Sequence, residues 1–71
     1  MKRTQEDMVL EHLKRHGAIT ADVALREYSI RQLPARIFHL RERGVAIRTV
    51  DRTGLNTFGN RVRYAEYRLA S

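Results

Sequence analysis

With 71 residues, of which 42% are hydrophobic and 31% charged, the chain is long enough for one small globular domain and too apolar for a disordered tail. It has no cysteine, no apolar run near the roughly 20 residues that span a bilayer and no signal-peptide stretch, so we expect a cytoplasmic protein without disulfides. The formal charge of +6 resides in residues 29–71, where nine arginines and no lysine stand against three acidic residues; this excess favours a polyanion as the partner.

The first predicted element is a helix between Thr4 and Gly17. Thr4 is a suitable N-cap, and Glu6 and Asp7 lie in the first turn, where negative charge complements the helix dipole. Gly17 ends the helix. Its apolar stripe comprises Val9, Leu10 and Leu13.

A short extended segment and a second helix follow. Residues 18–20, "AIT", are predicted to be extended, with Ile19 facing the core. Thr20 is the expected N-cap of a helix over Ala21–Tyr28. Thr20 and the first N–H groups of this helix are together suited to hold a phosphate.

Pro34 places the third helix. Proline lacks an N–H, so it belongs in a first turn, which predicts a start near Arg31 or Gln32 and leaves two residues as the turn after the second helix. A capping box from Ser29 to Gln32 is the alternative, and it would put Pro34 beyond the first turn. The helix is predicted to end at Arg43, before a glycine.

The third helix is predicted to be amphipathic. At about 100° per residue, Leu33, Ile37 and Leu40 share the core side, with Phe38 on its flank. Ala35 is small and allows the opposite side to approach a surface closely. That opposite side comprises Gln32, Ala35, Arg36, His39 and Arg43.

Two strands are predicted after the third helix. Residues 45–52 and 61–69 alternate in polarity, and the "TGLNTFGN" segment between them is rich in turn residues. An antiparallel hairpin with a flexible tip fits this pattern. The arginines expected to flank the tip are Arg48, Arg52, Arg61 and Arg63.

Helix, strand, helix, short turn, helix and hairpin is the element order of a winged helix-turn-helix domain. The segment "TQEDMVLEHLKRHGAITADVALREYSIRQLPARIFHLRERGVAI" resembles the small winged helix-turn-helix proteins of bacteriophages and prophages, and "YAEYRLA" continues the resemblance. It implies an α+β fold of three helices packed on a C-terminal hairpin wing, in a single domain over residues 1–71. The helix-turn-helix would span residues 20–43 and the wing residues 45–69.

The resemblance implies double-stranded DNA as the partner, with the third helix in the major groove, and the residue types agree. Arginine pairs with guanine and glutamine with adenine, while alanine contacts the thymine methyl group. Arg31 stands where related proteins often have a capping serine or threonine, so it is either a poor cap or a base contact. The expected DNA-binding set is Arg31, Gln32, Ala35, Arg36, His39, Arg43, Thr20, Arg48, Arg52, Asn60, Arg61 and Arg63.

Two other classes of function compete with DNA binding. A winged helix can instead bind and inhibit a host protein. An enzyme has little support, because the pair His12 and His16 lacks a third metal ligand, and His39 with Glu42 is better explained as a surface contact. We expect no catalytic residue, metal, cofactor or small-molecule substrate.

The remaining expectations concern Phe58 and the role of the protein. Phe58, in the hairpin tip, is a cover for the core, a wedge against DNA sugars or a contact with a second subunit. A small domain covers little DNA, so a homodimer or a cooperative array is expected. The expected role is a phage-type transcriptional regulator or recombination directionality factor in a bacterial host cell.

Overall fold

The computed structural model describes residues 4–70. It shows three helices and a three-stranded antiparallel sheet of order β1-β3-β2, so the predicted α+β fold is confirmed. Residues 1–3 and 71 of the predicted domain lie outside this part of the chain. The elements are α1 (Gln5–His16), β1 (Ala18–Thr20), α2 (Ala21–Tyr28), α3 (Leu33–Glu42), β2 (Ile47–Leu55) and β3 (Arg61–Leu69).

The caps of α1 and α2 follow the local sequence. Thr4 and Asp7 form a capping box, in which each side chain accepts a hydrogen bond from the backbone N–H of the other. Gly17 ends α1 with φ of 81°, a left-handed conformation that suits glycine. Thr20 caps α2, accepting from the N–H of Val23 at 3.3 Å. The predicted bounds of α2 are confirmed.

Pro34 lies in the first turn of α3, as predicted, but the helix starts at Leu33. Gln32 is its N-cap, without a side-chain hydrogen bond to the helix. Ser29 is instead the left-handed C-cap of α2, with φ of 57°, so the capping box from Ser29 to Gln32 is absent. Arg31 precedes the N-cap and therefore does not cap α3. The helix ends at Glu42, one residue before the predicted end.

The core lies between the helices and the sheet. Ile30 is only 2% exposed, which fixes the turn between α2 and α3 to the core. Burial of one such side chain contributes about 1.5–3 kcal/mol. The buried residues are Val9, Leu13, Ile19, Ala24, Ile30, Leu33, Ile37, Leu40 and Ile47.

The hairpin differs from its prediction in β2. This strand begins two residues later than predicted, at Ile47, and continues to Leu55, because Thr53–Leu55 pair with Arg61–Arg63. The predicted tip of eight residues is therefore a loop of five, Asn56–Asn60. The side chain of Asn56 closes this loop by accepting hydrogen bonds from the backbone N–H groups of Phe58 and Asn60.

Candidate nucleic-acid interface

The exposed side of α3 is centred on different residues from those that the sequence pattern indicated. Leu33, Ile37 and Leu40 are buried, as predicted. Phe38 is 58% exposed, not on the flank of the core, because it follows buried Ile37 and lies about 100° beyond it. This angular position was the sequence signal for its exposure. The other residues of the outer side are Ala35, His39 and Glu42.

Arg36 lies between α3 and α1 rather than on the outer side. Its Nη1 donates to Oε2 of Glu6 at 2.9 Å, and its side chain is only 26% exposed. Its Nε is buried without a partner among the described residues. Because Arg36 follows Leu33 by three positions, it sits beside the buried stripe, where α1 packs. The expectation of an outward-facing Arg36 is wrong.

His39 binds the same carboxylate. Its Nδ1 donates to Oε2 of Glu6 at 2.9 Å, so the carboxylate that it contacts is that of Glu6 and not that of Glu42. The hydrogen bond from His39 is the main reason that the pKa of Glu6 lies below its ordinary value, and the charge of Arg36 lowers this pKa further. We call Glu6, Arg36 and His39 the Glu6 cluster; it joins α1 to α3.

Arg31 and Gln32 lie at the N-terminal end of α3, where the sequence placed the first base contacts. Both side chains are exposed. Neither has a hydrogen-bond or ion-pair partner within residues 4–70. Both are therefore available to a ligand at this end of the helix, and a polar residue at such a position is well placed for base edges.

The tip of the wing presents Arg61 and Arg63. Both are exposed and, within the described part of the chain, carry no ion pair. They lie next to the loop, as predicted, because Arg61 begins β3 opposite Leu55. Asn60 is also exposed at the tip, and its backbone N–H donates to the side chain of Asn56.

Arg48 and Arg52 do not flank the tip. Arg48 pairs with Arg68 near the root of the wing, while Arg52 lies halfway along it. Nε and Nη2 of Arg52 donate to Oε1 of Glu66 at 3.2 and 3.0 Å, and Nη1 of Arg68 donates to the same atom at 2.8 Å. The hydrogen bonds from Arg68 and Arg52 keep the pKa of Glu66 below its ordinary value. Arg52 is thus engaged within the fold.

The nine arginines of residues 29–71 divide into two groups. Four are bound to protein atoms. Arg36 binds Glu6, and Arg52 and Arg68 bind Glu66. Arg41 donates to the carbonyl of Ile47 and the hydroxyl of Thr49, which ties α3 to β2. The other five are exposed and have no partner in the described range. These five are Arg31, Arg43, Arg48, Arg61 and Arg63. We call them the free arginines.

An apolar groove runs between the start of α2 and the wing. It has a volume of about 450 Å³ and begins at Thr20, whose hydroxyl is used in capping α2. The sequence pattern did not indicate this groove, since it is formed by residues more than thirty positions apart. Its other lining residues are Ala21, Asp22, Gly54, Leu55, Val62 and Tyr64.

His12 of α1 contacts α2, and His16 lies beside it. Nδ1 of His12 and the hydroxyl of Tyr28 share a hydrogen bond of 2.7 Å, and the His12 and His16 rings are 4.5 Å apart. Burial is the main cause of a lowered pKa at His12; the neighbouring His16 lowers it further, and Glu27 acts in the opposite direction.

Within residues 4–70 no three metal-binding side chains come together, and no helix there is long and apolar enough to cross a bilayer.

Comparison with known proteins agrees with this geometry. Residues 4–71 match the family profile of the winged helix-turn-helix domain. No curated protein matches the chain significantly. The matched region contains α2, the buried turn at Ile30, α3 and the wing. On this evidence the chain belongs to the winged helix-turn-helix family, whose members are in general DNA-binding domains without catalytic activity.

Proposed function

We propose that the protein binds double-stranded DNA in a sequence-specific manner, with α3 in the major groove and the wing on the adjacent backbone or minor groove. The observation that carries the proposal is the placement of the free arginines. Arg31 and Arg43 border α3, and Arg61 and Arg63 border the tip of the wing. Arginines without an acidic partner are free to bind phosphates.

Base contacts in this proposal come from the outer side of α3 and its N-terminal end. Arg31 and Gln32 are suited to guanine and adenine. Ala35 and the exposed ring of Phe38 present apolar surface to thymine methyl groups. His39 keeps about half of its surface exposed and is available beside them. Arg36 contributes to base contacts only if it leaves Glu6.

Backbone contacts come from arginines on both sides of α3. Arg61 and Arg63 reach phosphates or a minor groove, where negative potential favours arginine. Arg43 and Arg48 add contacts near the end of α3 and the root of the wing. At the start of α2, the hydroxyl of Thr20 and the first backbone N–H groups of the helix together bind one phosphate. Arg52 is a weaker candidate, since it must first release Glu66.

The biological role that we propose is a phage-type transcriptional regulator or recombination directionality factor in the cytoplasm of a bacterial host. The resemblance to small phage and prophage proteins supports it. A domain of this size covers a short stretch of DNA, so useful specificity requires a homodimer or a cooperative array on the site. The proposed activity needs no cofactor and no small-molecule substrate.

Selection from random duplexes at two salt concentrations tests the proposal. We expect one sequence motif to be enriched and the affinity to fall steeply with salt, with a slope of about −0.9 for each phosphate contact in a plot of log K against log salt. Absence of binding to every duplex at about 50 mM salt would contradict it.

The groove beside α2 favours a second candidate function, the binding and inhibition of a host protein. Its walls include Leu55, which is 73% exposed, together with Val62 and Tyr64. Exposed apolar surface of this kind is typical of protein-interaction sites. A protein that binds no duplex at low salt would support this alternative.

A further inference from the structure

We propose that the protein bends the DNA it binds and that Phe58 is the wedge, its ring entering between two base pairs from the minor groove. This inference rests on the proposed DNA binding. It assigns to the tip of the wing an activity separate from affinity, namely the opening of one base step.

The first observation is the exposure of Phe58. Its side chain is 87% exposed, more than that of any other large hydrophobic residue in residues 4–70. It does not pack against the core, so the interpretation of Phe58 as a cover for the core is wrong. Burying a phenylalanine side chain is favourable, and this contribution is not used within the fold.

The second observation is that hydrogen bonds within the loop position the backbone of Phe58. Oδ1 of Asn56 accepts hydrogen bonds from the N–H groups of Phe58 and Asn60, both at 2.9 Å. The backbone of Asn56 pairs with Asn60 at 2.9 Å and with Gly59 at 3.0 Å. Gly59 has φ of 80°, which permits this tight closure. A preformed loop loses little conformational entropy when its ring is inserted.

The third observation is the charge around the ring. Arg61 and Arg63 follow the loop, and the sequence has no acidic residue between Asp51 and Glu66. A cationic tip with an apolar apex matches the minor groove, which attracts arginine and accepts phenylalanine wedges at base steps. A second copy is disfavoured as the occupant, because two such tips would bring four arginines together without an acid.

The wing is also long enough to reach a groove. β1 pairs with β3 only as far as Glu66, so Arg61–Ala65 and Asp51–Leu55 form a two-stranded ribbon beyond the three-stranded part. Five residues of strand span about 17 Å. The minor groove is about 6 Å wide and 7.5 Å deep, so it admits the apical ring of Phe58 while the ribbon stays outside the groove and keeps the three-stranded part away from the DNA.

The experiment measures the bend and the affinity on the same duplex. A duplex containing the selected site carries a donor and an acceptor dye at its ends, and energy transfer reports its end-to-end distance. A set of further duplexes carries 2-aminopurine, each at a different base step, so that unstacking of that step raises the fluorescence. The variants are Phe58→Ala, the aromatic replacement Phe58→Trp and the loop control Thr57→Ala, and each is also tested for thermal unfolding.

We expect the parent protein, Phe58→Trp and Thr57→Ala to bend the duplex by about 20–90° and to unstack one step. Phe58→Ala should bind with an affinity within about tenfold of the parent and leave the duplex nearly straight. A parent complex with straight DNA, or a bend that survives Phe58→Ala, would overturn the wedge while leaving DNA binding intact. Loss of a second copy from the complex in Phe58→Ala, with the bend unchanged, would overturn it in favour of a subunit contact. No binding at all would refute the proposed function itself.

Discussion

At the scale of single residues, Glu6 binds two side chains of α3 and so limits their contacts with a ligand. One oxygen of this carboxylate accepts from both Arg36 and His39, so both are held against α1. The side chain of Glu6 is only 16% exposed, which strengthens these hydrogen bonds relative to bonds in water. The Glu6 cluster therefore stabilises the packing of α1 on α3. Weaker DNA binding by Arg36→Ala would in part reflect the loss of this packing.

The first prediction concerns Glu6→Gln. Loss of the charged hydrogen bonds should lower the free energy of unfolding by about 1–2 kcal/mol at pH 7. Because the pKa of Glu6 in the fold lies below 4.5, its contribution is complete above that pH and is lost as the pH falls through the folded pKa. Denaturant unfolding of parent and variant at neutral and acidic pH measures this. Glu42→Gln, which removes the same charge from the exposed side of α3, is the control and should change little.

The second prediction concerns Phe38. If its ring contacts a thymine methyl group, replacing that thymine by uracil should weaken binding of the parent by about fourfold, the contribution of one methyl group. Phe38→Ala should bind both duplexes equally. Fluorescence anisotropy with the two duplexes and the two proteins gives the coupling. Leu25→Ala, which changes another exposed apolar residue, should keep the parent's preference for thymine. A preference for thymine in Phe38→Ala as strong as that of the parent would rule out the contact.

At the scale of elements, the wing divides into an outer half with unpaired arginines and an inner half whose arginines form ion pairs. Arg61 and Arg63 lie beside the tip without a partner in the described part of the chain, whereas Arg52 and Arg68 are held by Glu66. The outer half of the wing is thus free to bind phosphates, and the inner half is stabilised by its own ion pairs.

The third prediction follows for the double variant Arg61→Ala/Arg63→Ala. It should bind all duplexes more weakly than the parent and reduce the salt slope by about 2, one unit for each phosphate contact. Titrations at several salt concentrations measure the slope. The control Lys14→Ala/Arg15→Ala removes two charges from the last turn of α1 and should leave the slope nearly unchanged. Equal slopes in the two double variants would show that the wing makes no backbone contact.

The fourth prediction concerns the packing of α1 on α2 at His12. The pKa of His12 is lower in the fold than its ordinary value of 6.5. Near and below pH 6.5 the unfolded chain therefore binds more protons at His12 than the fold does. The fold consequently loses stability as the pH falls from 6.5 through the folded pKa. His12→Gln should remove this loss between about pH 7.5 and 5.5. His16→Gln should retain most of it, because burial is the larger cause. Thermal unfolding at both pH values distinguishes the variants.

At the scale of the whole molecule, the charge is divided along the chain. Residues 1–28 contain five basic and five acidic residues, and two of these pairs, Arg15 with Glu11 and Arg26 with Asp22, form ion pairs along α1 and α2. The net charge of +6 therefore comes from α3, the wing and the segments beside them. Such an asymmetric field orients a polyanion towards these elements during the encounter.

The fifth prediction concerns the number of copies on DNA. A single domain with one α3 reads few base pairs, so a selected site should contain two or more half-sites. Each half-site should bind one copy of the protein. Analytical ultracentrifugation of the complex, with a duplex containing one half-site as the control, measures this. One copy on the complete site would contradict the proposed dimer or array.

Local signals were sufficient for most of the fold. Thr4, Gly17 and Thr20 cap helices through hydrogen bonds to residues within four positions, and Pro34 limits the start of α3 by its own missing N–H. These interactions depend on neighbouring residues in the chain, so the order and approximate bounds of the helices, and the amphipathic character of α3, could be predicted.

The partners of the arginines depended on tertiary structure. Glu6 and Arg36 are thirty residues apart, and Arg52 and Glu66 meet only through the register of β2 and β3. The sequence by itself determined the winged helix-turn-helix architecture and its positive charge, because both arise from local pattern and composition. Only the tertiary structure separated the free arginines from those bound within the fold, because that distinction depends on distances between segments far apart in the chain.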